Sequence, residues 1–135
     1  MKKLSIVISV IAALCLLSVD ASAKKLVREF KGSDNLTTAE FVVKGPWIAD
    51  WRVSGDYPGQ MAVAINLQTS PGGEHLGKIA VTKYVDNGVR LFEEGGTYRF
   101  QVNSTFANWT IRVEELTREE AKEYTPVEGN KILMD

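Results

Sequence analysis

Cysteine and histidine are almost missing from this chain of 135 residues, which holds one of each, Cys15 and His75. A structural zinc site takes about four Cys or His ligands, so none can be assembled, and a disulfide within the chain has no second half. A hydrolytic relay would have to be built on His75, which stands beside Glu74 in a glycine-rich stretch, and no serine carries the G-x-S-x-G pattern. Charge of one sign is also lacking, with 16 Lys and Arg against 17 Asp and Glu and a formal net charge of −1. No basic block is present, which excludes the electrostatic footprint of a nucleic-acid binder. Paired carboxylates at Glu93-Glu94, Glu114-Glu115 and Glu119-Glu120 are sequence neighbours, and neighbours on a strand point to opposite faces. Beyond residue 23 no apolar run approaches the roughly 20 residues of a membrane-spanning helix.

The chain does carry an address. Lys2 and Lys3 precede an apolar stretch over residues 4–19, and Ala21-Ser22-Ala23 follows as a small-x-small processing site. That order is the pattern of a cleavable secretory signal, which assigns residues 1–23 to export and the remainder to the periplasm or the extracellular medium. Leu14 occupies the place before Cys15 where a lipid-anchored precursor carries a small residue. Cys15 leaves with the signal, so the exported chain must draw its stability from packing alone, without a disulfide or a cofactor.

Residues 24–116 read as one β domain, because short runs rich in Val, Ile, Phe, Tyr and Trp alternate with Gly, Pro, Asn and Asp clusters. Leu26, Arg28 and Phe30 alternate with Val27 and Glu29, and Phe41 and Val43 share a face. Trp47, Ala49, Trp51 and Val53 form a period-two set opposite Ile48, Asp50 and Arg52. Met61, Val63, Ile65 and Leu67 repeat the theme, as do Tyr98, Phe100 and Val102, and then Trp109, Ile111 and Val113. Residues 69–75 read as a loop. Asn87-Gly88, between β-branched runs, predicts a tight hairpin. Thr117 and Glu120 have the spacing of a capping box, so residues 117–135 read as a short helix and a tail containing Ile132-Leu133-Met134. Seven or eight short strands in this length predict an all-β antiparallel sandwich, jelly-roll or immunoglobulin-like, with a short C-terminal helix; a small β-barrel is the alternative.

Alternation also sorts the aromatic residues. Phe41, Trp47, Trp51, Tyr98, Phe100 and Trp109 fall in step with aliphatic residues and are expected in the core, where each ring buries a large area. Tyr57, Phe106 and His75 fall in loops and are the candidates for contact with a partner. Asp34, Asp50, Asp56 and Glu74 lie in or near loops and could serve calcium, but Asp is also a common turn former, and turn chemistry is the preferred explanation. No catalytic residue and no metal ligand is assigned.

The segments Gly45-Pro46-Trp47, Trp51, Gly95-Gly96-Thr97-Tyr98, Val102-Asn103 and 109–114 (WTIRVE) together resemble a group of small bacterial secreted β-sandwich modules, and are distantly similar to bacterial pre-peptidase C-terminal domains. The resemblance spans roughly residues 30–115. It implies a sandwich fold and carries no catalytic set. The expectation is a non-catalytic exported module that binds a protein or another envelope component. A carbohydrate-binding module and a small secreted hydrolase are the alternatives.

Overall fold

Period-two alternation becomes two stacked sheets in the computed structural model, which describes residues 24–124. Residues 1–23, read from the sequence as a secretory signal, and the apolar group at residues 132–134 lie outside the described residues. The strands are β1 (Lys25–Gly32), β2 (Leu36–Thr37), β3 (Phe41–Val43), β4 (Trp47–Ser54), β5 (Ala62–Thr69), β6 (His75–Thr82), β7 (Asp86–Phe92), β8 (Gly96–Thr105) and β9 (Asn108–Glu115). A one-turn helix, α1 (Arg118–Ala121), follows. One sheet, A, has the order β1-β9-β4-β7. The other, B, runs β2-β8-β5-β6, with β3 also paired to β8, and all pairs are antiparallel. Successive strands cross between sheets except at β2–β3 and at the β5–β6 hairpin, which is the double Greek-key order of a jelly roll rather than the immunoglobulin order. The sheets do not close on one another, so the barrel alternative is excluded.

The inner faces match the alternation. Trp47, Phe100, Ile65, Ile111 and Val113 are fully buried, with Phe41, Met61, Val63, Leu67, Val102 and Trp109 nearly so. An aromatic cluster fills one end: Trp47 stacks on Phe92 at 4.5 Å and meets Phe41 edge-on at 5.7 Å, and Phe41 stacks on Phe100 at 5.1 Å. The Trp47 indole N–H donates to the Glu94 carbonyl at 2.9 Å, which satisfies its one polar atom. Tyr98 packs on the same cluster half-buried, its hydroxyl against the Glu94 and Gly95 carbonyls. Burial raises its phenol above the ordinary value of 10.0, and the Glu94 carboxylate adds to that rise.

Trp51 and Trp109 each lie flat over a glycine on the neighbouring strand. Trp51 is registered against Gly88 and Trp109 against Gly32. A Cβ at either glycine would stand 2.6 Å or 2.5 Å, respectively, from an indole carbon. This corrects the hairpin expectation. Asn87 and Gly88 sit inside β7 opposite Arg52 and Trp51, the chain reverses at residues 83–85, and β6 and β7 belong to different sheets. Gly88 is required for close approach of the indole and not for a turn.

Three further differences have local causes. A β-bulge between Leu26 and Arg28 turns Val27 toward the core and leaves Leu26 exposed. His75 opens β6 instead of ending a loop. Ile48, on the outward face of β4, is buried because Leu116 and Ala121 fold over it with Leu91 and Tyr124 alongside. The helix that covers Ile48 begins with the expected capping box: the Glu120 N–H donates to the Thr117 hydroxyl, and the Thr117 N–H donates to the Glu120 carboxylate. On the side where β6 and β7 are edge strands, the Arg90 guanidinium donates to the Lys78 carbonyl and ties the two sheets together.

Candidate functional site

Three connections meet at one pole of the sandwich. The β4–β5 loop (residues 55–61) turns tightly on Tyr57, whose carbonyl accepts from the N–H groups of Gln60 and Met61. Met61 is buried and pins the loop to the core. The Gly59 N–H donates to the Lys83 carbonyl at 2.9 Å, which joins this loop to the β6–β7 connection and sets Tyr84 beside it. Between β8 and β9 only Phe106 and Ala107 intervene. Ala107 is buried and its carbonyl accepts from the Ser104 hydroxyl at 3.0 Å, while Phe106 holds φ 55° and turns its ring outward.

A phenylalanine in the left-handed region is uncommon, since Cβ crowds the following carbonyl, and this one gains little burial in return. Phe106 is 65% exposed and Tyr57 58%. Their rings meet edge to face with centroids 6.1 Å apart. Tyr84 and Val85 are exposed at the same pole. The structure therefore brings two of the three sequence candidates into contact. His75 is not with them. It pairs with Gln68 near the far end of β5, whose opposite end at Ala62 pairs with Thr105 beside Phe106. The separation along the strand is roughly 20 Å.

Tyr84 and Val85 join the pole because the chain reverses at residues 83–85, whereas a turn at Asn87-Gly88 would put them inside a strand. The six aromatic residues expected in the core all face it, Trp51 and Tyr98 half-buried and the other four buried. The acidic residues considered for calcium are scattered. Asp50 lies mid-strand in β4 beside Arg52 at 3.7 Å, and the Asp34 carbonyl accepts from the Trp109 indole. Among the described residues no three His, Cys, Asp or Glu side chains converge on a point, and no helix is long and apolar enough to cross a membrane.

The described ends of the chain lie at the other pole. Lys25 pairs with Glu115, and the Lys24 ammonium donates to the Tyr124 hydroxyl while standing 4.8 Å from that ring. Ser54 pairs with Asn108 at the pole of the exposed Tyr57 and Phe106 rings, hereafter the aromatic pole, and Trp47 with Glu115 at this one, so a full strand length separates the two.

No family model matches the chain, and no curated protein does. Among solved structures it is similar to the carbohydrate-binding module CBM6cm-2 from Cellvibrio mixtus lichenase 5A, in complex with cellotriose. The identity is 13% and the TM-score 0.43, over 73% of this chain and 89% of that one. Similarity of that size transfers neither a ligand nor a site.

Proposed function

We propose that this chain is a non-catalytic module, exported to the periplasm or the medium, that binds a protein of the cell envelope through its aromatic pole. The observation that supports this reading is the exposed Tyr57–Phe106 pair, with Phe106 kept in a backbone region that disfavours it. Strain of this kind persists where the surroundings impose it, and it clusters at ligand-contacting positions. Large rings held rigid at low entropic cost are the usual anchors of protein interfaces, and Tyr84 and Val85 extend the patch. The edge-to-face angle of 63° favours inserted anchors over a flat stacking platform.

The test uses the purified protein immobilised on resin and exposed to envelope extract, wild type beside Phe106→Gly and Tyr57→Ser. Wild type should retain a defined partner that both variants lose. Phe106→Gly should also be as stable as wild type or more so, by about 1 kcal/mol, because glycine relieves the left-handed strain. Equal capture by all three proteins would refute the pole as the binding surface.

A further inference from the structure

Four carboxamides occupy outward positions on the two central strands of sheet B: Asn66 and Gln68 on β5, Gln101 and Asn103 on β8. The register sets Asn66 opposite Gln101, Gln68 opposite Arg99, and Asn103 opposite Ala64. Partners across the strands stand about 5 Å apart and successive outward residues about 6.7 Å apart along each strand, so these side chains form one continuous patch. Ala64 stands between Asn103 and Val81 at one end and adds no polar group of its own.

Asn is among the poorest strand formers, and two of them in central strands run against local preference with no packing gain. Their hydrogen bonding is only partly used within the protein. Arg99 Nε donates to Gln68 Oε1 at 3.0 Å and Gln101 Nε2 to Asn103 Oδ1 at 3.3 Å. The Gln68 and Asn103 amino groups, like the whole of the half-buried Asn66 carboxamide, have no hydrogen-bond partner among the described residues. Each carboxamide presents an acceptor and a two-proton donor in one plane. A hydroxyl group, which both donates and accepts, is its natural complement. The outward positions of these strands carry no carboxylate. Their one cation, Arg99, is already bonded to Gln68, and the nearby Lys78 stands on the edge strand β6.

We infer that the outer face of sheet B is a second recognition surface, which reads the hydroxyl groups of a neutral glycan chain through Asn66, Gln68, Gln101 and Asn103. It is independent of the aromatic pole, which shares none of these residues.

The experiment is a nuclear magnetic resonance titration of the nitrogen-15-labelled protein with cellotetraose, laminaritetraose, maltotetraose and chitotetraose, and with an oligogalacturonate as the acidic arm. The side-chain amide signals of the four residues are the readout. At least one neutral sugar should move all four sets saturably and with little dependence on salt. Asn66→Ala should weaken that binding about tenfold, with the melting temperature and the Tyr57 and Phe106 signals unchanged. Silence with every neutral sugar overturns the inference. Binding of the acidic oligomer alone, abolished by salt, overturns it too and assigns the contact to Arg99 and Lys78. Shifts confined to Tyr57 and Phe106 also overturn it; they place the glycan at the pole and count against the protein-binding reading there. Capture of an envelope protein through the pole tests that reading separately and leaves this inference untouched.

Discussion

On the outside of sheet A the central strands carry Asp50, Arg52, Arg112 and Glu114; on the outside of sheet B they carry Asn66, Gln68, Gln101 and Asn103. The first set is internally matched. Arg112 reaches Glu29 at 3.4 Å and Glu114 at 4.0 Å, Lys31 reaches Glu29 at 3.2 Å, and Arg52 reaches Asp50. At one end of that face Leu116 and Ala121 cover Ile48 as well. The second set leaves several donors and acceptors without a partner, and no element among the described residues lies over it. Both sheets contribute to one core, so the contrast concerns what each face has left to offer. Sheet A pairs its outward charges with its own side chains, whereas sheet B leaves the Asn66 carboxamide and the Gln68 and Asn103 amino groups without a partner among the described residues.

Substitutions can break that contrast. The largest effect is expected at Ile48, whose truncation to alanine should cost about 2 to 4 kcal/mol in chemical denaturation by opening a cavity under the helix, while Gln101→Ala should stay within about 0.5 kcal/mol. Similar losses at both positions would mean that sheet B is covered as sheet A is. Next comes Thr117→Ala, which removes the capping box of the covering helix and should cost about 1 kcal/mol. A change restricted to the outward side chains sharpens the comparison further. Arg112→Ala should lose about 0.5 kcal/mol at low ionic strength and almost nothing at about 1 M salt, whereas Asn66→Thr should gain a few tenths of a kcal/mol at any salt, because threonine is the better strand former. A loss at Asn66 would indicate that its carboxamide supports the fold. The smallest effect concerns the interior that both sheets share. The folded phenol of Tyr98 ionises above 10.0, so the neutral form is favoured in the fold; stability should be level below that pH and decline as pH rises past it. Tyr98→Phe should flatten the decline, as followed by alkaline melting curves.

Strand content and facing were legible because alternation is a short-range signal. Met61, Val63, Ile65 and Leu67 announce one buried face without reference to anything else in the chain. The capping box at Thr117 was legible for the same reason. Asn87-Gly88 was misread because the same dipeptide meets two requirements, a turn that needs positive φ and a strand position that must pass beneath an indole. Only the pairing of Gly88 with Trp51, 37 residues earlier in the chain, decides between them. Ile48 lies on the expected face, but its burial is not legible because its cover comes from residues 116–124, and the bulge at Val27 depends on a partner strand at the other end of the domain. At the candidate site, Tyr57 and Phe106 were recognisable as loop aromatics, but their contact with one another was not. The carboxamide face was present in the alternation as the outward partners of the core residues. Polar outward residues are ordinary on any single strand, and the patch exists only once β5 and β8 are laid side by side.

The placement of Lys24 and Tyr124 opposite Phe106 has a practical consequence. A tether, tag or surface linkage attached near either described end would hold the module upright with its tip pointing away from the support, like a probe on a stalk. Immobilisation by an end should therefore leave Tyr57 and Phe106 free to meet whatever approaches.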